Sequence, residues 1–176
     1  MAPRTAWPHS PGLFQRIRAF FGGQKALAHK ILLAADGSET SKKAASFAAG
    51  IARAIPGAVI TILTVITIPG GFYGRRLYWA AKDRPGDARE IKTLFEEEAQ
   101  RILAETATLL RQQGVEAATA IREGDPAEEI VEFAAVGGFN HIVMGTRGLT
   151  NVKGLILGSV AHKVVHLAKV PVTLVK

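Results

Sequence analysis

Met144-Gly145-Thr146-Arg147-Gly148, followed nine residues later by Gly158-Ser159-Val160, marks the point where a short apolar strand gives way to a helix. Two glycines straight after a strand let the backbone approach another group closely. Gly158-Ser159 at a helix start adds free backbone N–H groups and the positive end of the helix dipole. Together these features suit a polyphosphate. The same glycines would also serve a plain turn and a plain helix start, so the spacing alone leaves both readings open.

Working outward, His141–Met144 is the expected strand before this turn and Gly158–Ala168 the helix after it. Pro171–Val175 follows as a last strand, whose leading proline favours a sheet edge. Upstream, Ile31–Ala35 predicts a first strand, and Ser38–Ala54 a helix with Ala45, Ala48, Ala49 and Ala52 on its inner face. Val59–Ile66 is nearly all β-branched, as befits a strand covered on both faces. Residues 67–89 carry Pro69, Gly70, Gly71, Gly74, Pro85 and Gly86 and are expected to form a long loop. Glu90–Gln113 is then a long amphipathic helix closed by Gly114. Ala117–Arg122 predicts a third strand. Asp125-Pro126 opens a helix to about Val136, with an acid at the N-cap and proline at the first helical position. This alternation is the pattern of βαβ units around a parallel sheet.

At 176 residues, with 48% hydrophobic and 21% charged side chains, the chain suits one folded domain. It has no cysteine, which excludes disulfides, a thiol nucleophile and Cys-based zinc sites. Five of the seven net positive charges lie in residues 1–35, which hold Arg4, Arg16, Arg18, Lys25 and Lys30 and no acid. The remainder is nearly neutral and shows no basic stripe interleaved with aromatics, which argues against DNA or RNA as a partner. No apolar run approaches the roughly 20 residues of a spanning helix, and the N-terminus lacks the apolar core of a secretory signal. The expected location is the cytoplasm.

The turn resembles a known pattern: a strand ending in V-M-G, then G-x-x-G, nine residues and G-[ST], as in the ATP-binding branch of the universal stress protein family. The likeness extends through Lys30–Leu33 into Asp36-Gly37-Ser38, through Gly124-Asp125-Pro126, and to Val170-Pro171-Val172. It covers residues 30–176 and leaves residues 1–29 as a basic extension. The resemblance implies a single doubly wound α/β domain, a five-stranded parallel sheet in order 3-2-1-4-5 with helices on both faces. It further implies ATP, with Mg²⁺ or Mn²⁺, in the crevice where strand order reverses. On that reading Asp36 contacts ribose and metal-bound phosphate, and the backbones of Ala34 and Val65 bracket the adenine. Met144 packs beside the nucleoside, Gly145, Arg147 and Gly148 wrap ribose and phosphates, and Gly158, Ser159 and Val160 hold the phosphate chain. Family members often have proline where this chain has Ala34, so adenine recognition there departs from the pattern. The plain alternative for Asp36 is a helix N-cap. The implied function is a nucleotide-gated regulatory module of stress response, forming a homodimer through the Val170–Val175 edge. Slow ATP hydrolysis by Asp36 and Arg147 is the alternative, since no G-x-x-x-x-G-K-[ST] motif occurs.

Outside the resemblance, Leu13, Phe14, Ile17, Phe20 and Phe21 fall on one helical face, with Gln15, Arg16 and Arg18 elsewhere. Such a short basic amphipathic segment either packs on the domain or docks on a membrane surface or protein partner, for instance as a membrane-associated regulator of a transporter. His162 and His166 share the i, i+4 spacing of a zinc site but lack a third ligand, so they are expected at the surface. Glu96, Glu97 and Glu98 are expected on a solvated helix face, and Arg75 and Arg76 in the long loop.

Overall fold

In the computed structural model, residues 29–67, 85–148 and 157–176 are described, with the side chains of residues 85–91 left aside. Leu13–Phe21, Arg75, Arg76 and the expected loop up to residue 84 lie outside them. Five strands, β1 (Lys30–Ala34), β2 (Val59–Ile66), β3 (Ala117–Glu123), β4 (His141–Gly145) and β5 (Val172–Val175), form one parallel sheet in the order β3-β2-β1-β4-β5. Four helices, α1 (Glu39–Ala54), α2 (Pro85–Gln112), α3 (Pro126–Gly137) and α4 (Ser159–Leu167), connect them.

The central strands β1, β2 and β4 are mostly apolar on both faces because both are covered. Ile31, Leu33, Ile60, Ile62 and Val143 pack against the alanines of α1 and against Ile102, Leu103 and Leu110 of α2. Leu32, Leu63, Ile142 and Met144 pack on the other side against Ile130 and Phe133 of α3 and Val164 of α4. Ala44, Ala45, Ala48 and Ala49 are fully buried; their small side chains let α1 lie close to the sheet.

Three local signals act as the sequence suggests. The Asp125 carboxylate accepts hydrogen bonds from the Ala127 and Glu128 N–H groups, both at 3.1 Å, and caps α3. Gly114 turns α2 out with φ +76°, and the Val115 N–H reaches back to the Leu110 carbonyl at 3.0 Å. Pro171 precedes the edge strand β5. One boundary moves. The expected loop over 67–89 gives way to helix at Pro85, five residues before Glu90, because proline and one glycine are tolerated in a first turn, where the N–H groups have no intrahelical acceptor. Among the described residues no helix is long and apolar enough to cross a membrane.

β1 pairs with β2 on one side and β4 on the other, both parallel. From β1 the chain steps outward to β2 and β3, then crosses back to β4 and β5. The connections leaving the carboxyl ends of β1 and β4 therefore diverge and leave a crevice between them, where open α/β sheets take ligands.

Candidate functional site

That crevice is a cavity of about 710 Å³. Ala34 and Asp36 reach it from the end of β1, Val65 from β2, Met144, Gly145, Arg147 and Gly148 from β4 and its turn, and Gly158, Ser159 and Val160 from the start of α4. All ten residues singled out from the sequence line this one space.

The walls are built from both helix starts. At the β1 end, the Asp36 carboxylate accepts the Ser38 N–H at 3.0 Å. Asp36 is not the N-cap of α1. Ser38 takes that role, accepting from the Ser41 N–H at 3.2 Å. Asp36 thus keeps its second carboxylate oxygen for the crevice. At the β4 end, the Arg147 carbonyl accepts from Thr40 Oγ1 at 2.5 Å and Ser38 Oγ at 3.3 Å, which ties the glycine turn to the first turn of α1. The Gly158 N–H donates to the Thr146 carbonyl at 2.7 Å, closing the turn onto the start of α4. The N–H groups of the first turn of α4 then face the cavity without intrahelical acceptors, the arrangement that favours an anion.

The two glycines of the turn differ in what holds them. A Cβ at Gly145 would lie 2.5 Å from Thr40 Oγ1 and 2.9 Å from the Thr40 backbone carbon, so this position is glycine for the sake of the strand–helix contact. Among the described residues, a Cβ at Gly148 would meet only the Asp36 carboxylate, at 2.8 Å, on the cavity side.

Residues not foreseen also line the cavity. Thr146 is 5% exposed, and its Oγ1 has no hydrogen-bond partner among the described residues. A buried orphan hydroxyl at a cavity wall is a polar group waiting for a partner. Phe95, Ala99 and Ile102 of α2 and Ile130 of α3 supply apolar surface. Glu98 stands at the rim, where its bidentate pairing with Arg101 holds the carboxyl below its usual range. In the sequence Phe95, Ala99 and Ile102 show only the spacing of a core-facing helical stripe. That this stripe overhangs the crevice follows from the placement of α2. His162 and His166 are exposed on α4, and Glu96 and Glu97 are exposed on α2.

Comparison with known proteins fits this frame. Residues 28–176 match the universal stress protein family as a whole. Universal stress protein MJ0531 of Methanocaldococcus jannaschii is 36% identical over 147 residues, covering 84% of this chain and 81% of that protein. Universal stress protein YxiE of Bacillus subtilis is 33% identical over 155 residues, covering 84% and 99%. Among solved structures, hypothetical protein MJ0577 superposes with a TM-score of 0.71 at 29% identity, over 86% of this chain and 97% of that one. A universal stress protein solved in complex with cAMP shares the fold at 24% identity and a TM-score of 0.59, over 84% and 97%. With a family match spanning all of the described residues and relatives above 30% identity along most of their length, the chain belongs to the universal stress protein family.

Proposed function

We propose that the chain binds ATP with Mg²⁺ or Mn²⁺ in this crevice and works as a nucleotide-gated regulatory module of stress response. One observation carries the reading: ten residues from four separate segments, named by the family resemblance, line a single cavity of about 710 Å³. That size suits a small-molecule site, for which about 300–1,000 Å³ is usual. The first-turn N–H groups at Ser159 and Val160 supply donors for a phosphate chain, and Ser159 Oγ adds one more. Asp36 would supply an oxygen ligand, and Mg²⁺ bound with a triphosphate needs only one or two carboxylates from the protein. The metal would neutralise phosphate charge in the crevice. Leu63, Met144 and Ile130 offer an apolar wall for a base. Solved proteins of the same fold are described in complex with cAMP, with dAMP and with AMP, which supports an adenine nucleotide as the ligand class.

Gated binding is favoured over hydrolysis because, among the described residues, the cavity lining carries no lysine or histidine. Asp36, the candidate base, already spends one oxygen on the Ser38 N–H. Turnover, where it occurs, is slow. The half-exposed edge strand β5, with residues Val170–Val175, is the proposed homodimer seam, since an open edge pairs readily with a symmetry mate. Protein purified without added nucleotide, denatured and assayed by chromatography, should release adenine nucleotide. A preparation free of nucleotide that also fails to take up ATP and Mg²⁺ would refute the reading.

A further inference from the structure

On the face of the sheet opposite α1 lies a second concavity of about 320 Å³, bounded by α3, by the end of α4 and by the chain entering β5. Its floor and walls are apolar: Ile142, Val131, Ala135, Leu167 and Val170. Leu167 is 42% exposed there, and Val136, next to Ala135, is 59% exposed. Its acidic side is formed by Glu128 and Glu132. Glu128 pairs with Lys163, whereas Glu132 has no ion pair among the described residues. The site is distinct from the nucleotide crevice, which sits at the other end of the strands.

We propose that this groove is the docking site for the chain's own segment Leu13–Phe21. Three observations converge on that occupant. The first is position. The chain enters the described fold at His29, whose carbonyl accepts the Val59 N–H at 3.0 Å, at the amino end of β1. Ile142, on the groove floor, lies near the same end of the neighbouring strand β4, where Ile31 pairs with His141. The second is reach: the eight residues from Phe21 to His29 span up to about 26–29 Å when extended, enough to come back over the end of α3. The third is chemical complementarity. Leu13, Phe14, Ile17, Phe20 and Phe21 make one apolar helical face, Arg16 and Arg18 flank it, and no acid occurs before Asp36. The groove lining carries one base, Lys169, against the two acids Glu128 and Glu132, so an apolar groove with a spare carboxylate at Glu132 fits that segment on both counts. Docking covers the exposed Leu167 and brings Arg16 or Arg18 to Glu132.

The chain has no cysteine, so a pair of introduced thiols reports on one contact alone. The full-length variant combining Ile17→Cys with Ala135→Cys is compared with one combining Ile17→Cys with Ala54→Cys. Ala54 is exposed at the end of α1, across the sheet from the groove but at the same amino end of the strands, where His29 meets Val59. A freely tethered thiol that leaves the fold at His29 sees either site at a similar effective concentration, of millimolar order. Under mild oxidation at low micromolar protein, docking predicts that the Ala135 pair closes within one chain at least ~10 times faster than the Ala54 pair, which sets the tethered baseline. Adding the surface change Glu132→Arg should slow the Ala135 pair severalfold, while circular dichroism reports an unchanged fold. Equal closure rates for the two pairs would overturn the proposal. So would a disulfide formed only between chains, which would make a second copy the occupant. A segment that sediments with anionic vesicles yet never closes on Ala135 would overturn it in favour of a membrane surface.

Discussion

Within four residues the connection from β4 to α4 holds two glycines with different reasons to be glycine. Gly145 faces the first turn of α1, and the space a side chain would need is filled by Thr40. Gly148 faces the crevice, and among the described residues a Cβ there would meet only the Asp36 carboxylate. On the first side every group is satisfied: Thr40 donates to the Arg147 carbonyl and the Thr146 N–H donates to the Val175 carbonyl at 2.8 Å. On the second side stands a helix start without acceptors, and Thr146, which lines the cavity, has a buried hydroxyl with no partner among the described residues. A motif glycine is therefore not by its nature a ligand glycine. One of this pair keeps the fold and the other keeps the pocket.

The comparison breaks most visibly at Gly148. Gly148→Asp places a carboxylate beside both Asp36 and the proposed phosphates. At about 4 Å a like-charge pair costs on the order of 1 kcal/mol in water and about 4 kcal/mol at an effective dielectric near 20. ATP affinity measured by calorimetry should fall roughly five- to several-hundred-fold, with circular dichroism unchanged. Gly145→Ala should do the reverse. Its Cβ would press on Thr40 backbone as well as on the hydroxyl, an overpacking cost of about 1–3 kcal/mol in chemical denaturation. A Gly145→Ala protein as stable as wild type would show that the α1 seam yields freely.

Ser159→Ala sharpens the second side with a smaller effect. It removes one hydroxyl but leaves the backbone donors of α4, for a loss of about 0.5–1.5 kcal/mol in ATP binding and no change in stability. The smallest effect lies at the far end of the strands, where no nucleotide is expected. Burial, reinforced by the neighbouring His29, pushes the His141 imidazole below its usual value. A histidine whose folded pKa is depressed favours folding when neutral, so stability falls as pH drops through the ordinary histidine range toward its folded pKa. Melting temperatures between pH 7 and 5 should decline less steeply for His141→Gln than for wild type. Parallel profiles would place the pH dependence elsewhere.

Much of this could be read from the chain itself. Near-continuous apolar runs, as expected of strands covered on both faces, give β1, β2 and β4, and Asp125-Pro126 marks the start of α3. The glycine spacing and the helix start made Gly145, Gly148, Gly158 and Ser159 candidates locally, whereas Ala34, Asp36, Val65 and Met144 were named through the family resemblance; all ten line the one cavity. What escaped depends on how elements meet. Thr40 as the reason for Gly145, Ser38 rather than Asp36 as the cap of α1, and Phe95 with Ile102 overhanging the crevice are all contacts between segments far apart in sequence. Pro85 looked like a breaker because a proline in a first turn and a proline in a loop are alike until the following residues are seen to be helical.

The central claim is that the crevice between β1 and β4 is the nucleotide site, and amide chemical shifts on the isotope-labelled full chain test it most directly. Stepwise addition of ATP with Mg²⁺ should move the amides of Asp36, Gly148, Ser159 and Val160 together along one saturable curve, leaving those of Ile142, Val170 and Lys169 in the second groove nearly still. Shifts centred on that groove, or no saturable shifts at millimolar ATP, would contradict the account.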